Sequence, residues 1–505
     1  MDEMIGEENP VRVIDALVRA LNIEQLGFNK PKPEYKENER TSGRDLGGRP
    51  CYRPEDLLKL YLYGYYNRIR SSRMLERECM RNNEVQWLIN GLLPNYHTIA
   101  DFRKDHRKEL KNVFKKFTSF LLNNDLLNGD NVAVDGTKVR AVNAKKNNFN
   151  LEKVNRHLEY IENKTEEYFK QLDTLDEQEN KSDDFSAKME KLQSKILKLK
   201  DRKQFYDSIA ERLSKTTDGQ VSTTDPESRS MPIHHNQIEV AYNIQCATDD
   251  KHCLIVHFEA TNENDTKALY AASQGAKDAL EKKFEESITV LADKGYHNGE
   301  QLHRCAEVNI ETLVANRERS ESGEVPTSDY FSEKFTYNKE SHNYTCPQGE
   351  TLTTNGSYYT KDHTAKTRKN STKYLFQQFK SRACKSCSVK HFCTKNKNGR
   401  IIDRSQYQDT VDKNNARIVN EKERYLLRQQ IVEHPFGTIK RAWGYYFTLL
   451  KGREKVNAEY AIIFTVYNLR RVVSILGVKE LLKRIKFFQQ TILYFLYSYK
   501  LSSTY

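Results

Sequence analysis

Apolar residues recur at helical spacing through residues 11–27 (VRVIDALVRALNIEQLG), and the run stops at Gly27. That pattern predicts an amphipathic helix. Residues 29–50 are polar and glycine-containing and read as a linker. Pro54 and Glu55 open PEDLLKLYLYGYYNRIRSSRMLERECMRN, a second helix with proline in its first turn and an acid beside it. Short helices are expected around residues 85–90 and from His97, with Asn95 and Thr98 as caps. At residues 131–140 (NVAVDGTKVR) the pattern becomes β-branched and is interrupted by Asp135-Gly136, which predicts a strand leading into a hairpin. Heptads follow. Leu151, Val154, Leu158, Ile161, Thr165, Tyr168, Leu172 and Leu175 form one stripe; Phe185, Met189, Leu192, Ile196, Leu199, Lys203, Tyr206, Ala210 and Leu213 form another. Two such stripes joined by a polar turn predict an antiparallel helical hairpin.

Strands are expected again at residues 237–247 and 253–261, then a helix from Asn264. SITVLADKGY reads as an apolar strand ending on Asp293, followed by a helix at 299–308 and a strand at 310–315. A β-β-α-β-α-β series predicts a mixed sheet with flanking helices. Residues 317–420 break the pattern, being polar and holding four Cys. Helices are expected at 421–440, 458–475 and 478–493.

Composition narrows the class. A chain of 505 residues with 37% apolar positions can bury several cores, which excludes wholesale disorder. Lys and Arg total 82 against 70 Asp and Glu, a net charge of +12, which favours a polyanionic partner. Arg68, Arg70, Arg73, Arg103, Lys104 and Arg107 concentrate in the early helices, where an all-helical module can enter a DNA groove; a solvated dimerisation or packing domain is the alternative. The two heptad runs balance acids and bases and read as a structural arm. Nine Cys are too few for a secreted disulfide framework. The N-terminus is acidic and lacks the apolar core of a signal peptide. Residues 487–499 are apolar but broken by Gln489 and Gln490, short of the roughly 18–20 residues a span needs, so a buried terminal helix is expected. The expectation is a soluble, multidomain protein of a reducing compartment.

Asp135 and Asp293 stand at the C-terminal ends of apolar runs. Carboxylates at neighbouring strand ends can bridge divalent cations, which take hard oxygen ligands, and a third acid from a helix completes a two-metal site for phosphoryl transfer. Glu433, in YLLRQQIVEHPFGTIKR, is the candidate; Lys440 shares its helical face if the helix persists past Pro435. An Asp-Gly turn and a surface glutamate are the plain alternatives. Cys384-Lys-Ser-Cys387, with Cys393 after it and Cys346 upstream, suits tetrahedral structural zinc, with His391 or His342 able to replace one ligand. Reduced free thiols or a redox pair remain open. Cys51, Cys79, Cys246, Cys253 and Cys305 read as core residues. There is no phosphate-binding GxxxxGK[ST] loop. His234-His235 reads as a loop pair, and Trp87 and Trp443 as core residues, with base stacking as the alternative for Trp443.

AVDGTKVRA, LADKGYHNGEQL and RQQIVEHPFGTIKR occur here in order with GRPCYRPEDLLKLYLYGYYNRIRSSRMLERECMRN, NYHTIADFRKDH, TDPESRSM, VAYNIQCATD, TCPQGETL and CKSC. With them the chain resembles the DDE transposases of bacterial insertion sequences over roughly residues 9–476, in the branch with an N-terminal helical domain and a Cys-bearing insertion. The resemblance implies an α/β RNase H-like catalytic core with an inserted helical hairpin and a Cys-rich insertion, preceded by an all-α DNA-binding domain. The domains would be 1–125 (DNA-binding helices), 126–150 and 216–316 (core), 151–215 (hairpin), 317–420 (Cys-rich insertion) and 421–505 (C-terminal helices). It implies Asp135 on the first strand, Asp293 after the fourth and Glu433 on the helix after the insertion, holding Mg²⁺ or Mn²⁺. Tyr425, Arg428 and Lys440 match further family positions. Arg428 stands five residues before Glu433 where the family has four, a rotation of about 100° on a helix. The implied activity is metal-dependent cleavage and strand transfer at terminal inverted repeats. The implied partners are double-stranded transposon ends and target DNA, bound by a homo-oligomer in the cytoplasm, nucleoid-associated and with no membrane. A metal-dependent nuclease on the same core, and a non-catalytic DNA-binding relic acting as repressor, are the rivals.

Overall fold

Asn131–Arg140 forms one continuous strand, β1, in a computed structural model that describes residues 2–28, 51–177, 183–216, 218–234, 237–316, 324–362 and 373–502. The expected linker at 29–50, most of the turn between the heptad runs and His235 lie outside the described residues. The chain divides into two units: Met1–Val142 with Ala241–Ala315 and Asn414–Tyr505, and Asn143–Val240 with Asn316–Lys413.

In the first unit β1 pairs antiparallel with β2 (Gln237–Asp249) along its whole length, so no hairpin starts at Asp135-Gly136. Gly136 serves a different purpose. A Cβ there would lie 2.5 Å from Asp265 Oδ1 and from Gln245 Nε2, so the glycine lets side chains approach the strand closely. β3 (Ile255–Thr261) pairs antiparallel with β2, while β4 (Ile288–Ala292) and β5 (Ile310–Val314) run parallel to β1. The resulting order, β3-β2-β1-β4-β5, makes up five of the sheet's six strands. The apolar runs VAV in β1 and ITVLA in β4 are buried throughout, as befits parallel strands covered on both faces.

Helices cover both the sheet and its edge. The long C-terminal helix, Arg453–Ser502, breaks at Gly477 (φ 75°, ψ 166°). Its Asn468 and Asn457 accept from the Ile255 and Ala260 amides of edge strand β3 at 2.9 and 2.8 Å, meeting backbone groups that a buried edge would otherwise orphan. The Arg453–Gln490 stretch is long and apolar enough to cross a membrane by length and composition, yet most of its most apolar 18-residue window is buried inside the protein, while Phe487, where a buried terminal segment was expected to begin, is exposed. Such burial of the window is the signature of a core helix. Side chains beyond Gln490 lie outside the described residues.

The described residues before the sheet are helical, beginning with Pro10–Ala20, whose first turn is capped by Asn9. The single helix expected from Pro54 is two, Pro54–Tyr66 and Ser72–Arg81. The chain doubles back at Arg68 (φ 63°), and Gly64 faces Leu75 so tightly that a Cβ would meet its Cδ2 at 2.5 Å. Two of the arginines read as DNA-facing are buried instead. Arg103 donates to Tyr65 Oη at 2.6 Å. Arg70 pairs with the fully buried Glu459.

In the second unit the helices Leu151–Asp176 and Asp183–Ser214 pack together. Lys203 meets Glu162 at 3.1 Å and Lys195 lies over Tyr168, contacts that fix an antiparallel hairpin. Val154, Ile161, Leu192, Leu199 and Leu213 of the stripes are buried, while Leu151 is exposed. The polar stretch after Asn316 holds two three-stranded sheets around Phe335, Tyr344, Leu352, Phe379 and Ile402.

Candidate active site

The register of β1 and β4 brings the first two acids together. Val132, Ala133 and Val134 stand opposite Val290, Leu291 and Ala292, so the next position on each strand is Asp135 and Asp293. Each carboxylate accepts one nearby amide: Asp135 Oδ1 from Gly136 N at 2.8 Å, Asp293 Oδ1 from Gly295 N at 2.7 Å. Burial pushes the Asp135 carboxyl up to about 6; the Gly136 amide opposes this, the charges of Asp293 and Asp265 add to it, and Arg428 lowers it. Two neighbouring acids with one charge destabilised is an arrangement that favours a bound cation.

Glu433 lies on the Lys422–Phe436 helix. Ile431 and Val432 of that helix bury against Ala133, Leu291 and Leu313 of β1, β4 and β5. Arg424 fastens its start by bonding Asn131 Oδ1 and Thr289 Oγ1. Pro435 stays inside the helix, which then widens into a π-helical turn, Gly437–Ala442. The simple α-helical face expected for Glu433 and Lys440 is therefore interrupted between them. Lys440 Nζ donates to the Lys138 carbonyl at 3.0 Å, and burial, with the Lys138 charge, lowers its pKa. Tyr425 packs on the helix–sheet cluster, and the Arg428 guanidinium sits 6.0 Å from its ring. Despite its shifted position, Arg428 acts electrostatically on Asp135.

Glu433 itself is exposed, its Oε1 accepting from Gln429 Nε2 at 2.7 Å. Among the described residues no group of three or more His, Cys, Asp or Glu is arranged to hold a metal ion. The structure thus joins Asp135 and Asp293, leaves Arg428 within electrostatic reach of Asp135, and leaves the Glu433 carboxylate in solvent on the neighbouring helix.

A family model described as a transposase DDE domain matches residues 345–473, and one described as a transposase domain (DUF772) matches residues 1–105. Both matches are to transposase domains, consistent with a DDE transposase of an insertion sequence. The DDE match takes in Glu433, Lys440 and all four candidate zinc cysteines; Asp135 and Asp293 precede it. None of the curated proteins matches the chain.

In the second unit, Cys346, Cys384, Cys387 and Cys393 line one cavity with Phe335 and Val389. Burial pushes the Cys393 thiol up to about 11; Arg400 opposes this and the other three thiols add to it. His342 cannot replace a ligand readily, since its ring nitrogens already meet Tyr337 Oη and Gln377 Oε1 at 2.6 and 3.0 Å. The His391 ring lies tilted against that of Phe392. Cys79, Cys246 and Cys305 are buried as expected, but Cys51 is exposed and Cys253 half-buried. Trp443 is a core residue beside Tyr445 and Tyr467, whereas Trp87 is half-buried and donates to Asp2.

Sequence reasoning missed Asp265, Lys138, Gln245 and Tyr296, which bond one another next to the strand of Asp135: Asp265 accepts from Lys138 Nζ and Gln245 Nε2, and Gln245 Oε1 accepts from the Tyr296 hydroxyl. One signal was readable. Asn243 and Gln245 alternate within the otherwise apolar run VAYNIQCA, placing two amides on one face of a buried strand, where each needs a partner.

Proposed function

We propose that the chain is a transposase that binds the terminal inverted repeats of its own insertion sequence, cleaves there, and joins the freed 3′ ends to target DNA. The observation that carries this reading is the β1–β4 register, from which two carboxylates leave adjacent parallel strands side by side. The strand order, with β2 alone running against the other four, supports an RNase H-like core. Glu433 is the third acid. Ile431 and Val432 pack against Ala133 and Leu291, two residues before Asp135 and Asp293, so Glu433 stands on the stretch of helix nearest the pair and would have to leave Gln429 to join it.

Asp135, Asp293 and Glu433 would hold Mg²⁺ or Mn²⁺. An all-oxygen donor set with a buried, like-charged pair suits a hard divalent cation. When bound, the metal supplies Lewis-acid activation of water or a 3′-hydroxyl at the scissile phosphate. The protein's own groups do the rest. Arg428, whose charge reaches Asp135, would offer a fork that matches phosphate oxygens, with the Tyr425 ring beside it. Lys440 fastens the π-helical turn to β1 and keeps two further protons for a phosphate. Arg68, Arg73 and Lys104, all exposed, supply cations for end recognition by the N-terminal helices. Holding two ends together calls for a homo-oligomer, acting on the nucleoid in the cytoplasm.

The test is relocation in bacterial cells. A donor plasmid carries a marker between the DNA segments that flank this gene, and the chain is supplied separately. The marker is expected at new sites with the flanking repeats intact; expressed protein with no relocation and no excision overturns the reading.

The proposal extends to zinc at Cys346, Cys384, Cys387 and Cys393. Four thiols line one cavity; no three of them stand at metal-binding geometry among the described residues, so zinc would have to draw them together, and in doing so would knit a unit with a small apolar core. Purified protein is expected to carry one zinc per chain, released together with four titratable thiols. Four thiols that titrate freely from metal-free, folded protein contradict this.

A further inference from the structure

Asp265 sits between β3 and the Leu269–Ala279 helix, at the start of a 3₁₀ turn. Both of its oxygens are taken. Oδ1 accepts from Asn243 Nδ2 and Gln245 Nε2, each at 2.8 Å, and Oδ2 accepts from Lys138 Nζ at 2.6 Å. Asn243 and Gln245 lie on β2, opposite Lys138 and Gly136 of β1. Asp265 presses against β1 one residue past Asp135, where any Cβ on Gly136 would strike it.

The bonds continue outward to the other two acid-bearing segments. Gln245 Oε1 accepts the Tyr296 hydroxyl at 2.5 Å, three residues beyond Asp293. The Lys138 carbonyl accepts Lys440 Nζ, seven residues beyond Glu433. Tyr296 is fully buried, and burial, then the charges of Asp265, Asp135 and Asp293, hold its hydroxyl far above the usual range. One carboxylate is thus bonded, through a single intermediate residue, to the segments that carry Asp293 and Glu433, and directly to the strand that carries Asp135.

We propose that Asp265 is a positioning residue for DNA cleavage: it fixes Lys138 and Gln245, and through them the middle of the strand that carries Asp135, the turn of Asp293 and the π-helical turn after Glu433. With three donors on its two oxygens it is not itself a metal ligand, because a cation would have to displace an ammonium and two amides. Partners standing behind metal-ligating carboxylates typically contribute about 10–100-fold in metal affinity or activity. The inference rests on the transposase reading.

The test uses the full chain with Asp265→Asn, Lys138→Met and the double variant, alongside Asp293→Asn. Four quantities are read: single-turnover nicking of a duplex carrying the flanking DNA across Mg²⁺ concentrations, Mn²⁺ affinity by electron paramagnetic resonance, duplex affinity in Ca²⁺, and thermal stability. Asp265→Asn is expected to slow nicking about 10–100-fold and to raise the Mg²⁺ requirement, with duplex affinity unchanged. The double variant, which leaves no unpaired charge, is expected to regain thermal stability but not nicking. Nicking and Mg²⁺ dependence like the wild type in Asp265→Asn overturn the inference, as does a double variant that regains both stability and rate. If Asp293→Asn still nicks, the transposase reading has failed and this inference falls with it. Loss of nicking in Asp293→Asn beside full nicking in Asp265→Asn sinks this inference alone.

Discussion

Asp135→Asn and Asp293→Asn are each expected to lower metal-dependent DNA nicking by roughly a thousandfold or more, the several kcal/mol that metal activation supplies. Each substitution is nearly isosteric, and each carboxylate accepts only one amide close by, Gly136 N or Gly295 N, so the fold has little to lose. Asp135 stands to gain in stability, since burial already disfavours its charge. A large fall in rate with undiminished stability is the mark of a residue whose charge serves chemistry rather than folding. Single-turnover nicking together with duplex affinity in Ca²⁺ checks it. Loss of affinity equal to the loss of rate would mean that the acids act in binding, against the account.

Glu459→Ala is expected to destabilise the first unit by about 3–5 kcal/mol, the usual effect of stripping one partner from a buried ion pair. Glu459 is fully buried. It meets Arg70, which also donates to the Phe447 carbonyl at 2.8 Å and lies 4.5 Å from the Tyr445 ring. Glu459 accepts in addition from the Leu449 and Leu450 amides at 2.9 and 3.3 Å. The substitution strands a guanidinium and two amides in the interior. Against a typical total of about 5–15 kcal/mol, that is enough to leave much of the protein unfolded. Arg70→Met with Glu459→Leu removes both charges and is expected to recover much of the loss, as buried pairs replaced by apolar residues often do. Urea unfolding of the three chains measures it; equal stability of Glu459→Ala and wild type contradicts the buried-pair account.

Arg70 also illustrates where sequence reading stops. Its charge counted toward a DNA-binding surface because neighbouring residues are basic, but its partner is 389 residues away and no local pattern reveals it. The same holds for Arg103, whose partner Tyr65 sits on another helix. Strands β1 and β4 were readable from the apolar runs VAV and ITVLA, β5 from a run broken by Glu311, and Asp135 and Asp293 were singled out because each follows directly on such a run. Gly136 misled: Asp-Gly commonly turns a chain, whereas here the glycine makes room for Asp265. The Gln408–Asn420 helix went unread because a key buried contact is polar. Asn414 is fully buried and bonds the Val314 amide and carbonyl at 3.0 and 2.8 Å. Glu433 was singled out through the motif around it, since neither its exposure nor the π-helical turn beyond it has a pattern in the residues alone.

The central claim is that these carboxylates cut and join DNA, and the direct measurement is product formation by the unmodified chain. A duplex bearing the flanking DNA, labelled near its 3′ end, is incubated with the full chain, Mg²⁺ and a supercoiled target plasmid. The account predicts labelled 3′ ends covalently joined to plasmid, with no joining when the metal is chelated. Sequence-specific binding without nicking or joining, in Mg²⁺ or in Mn²⁺, would contradict it and leave a DNA-binding protein without catalysis.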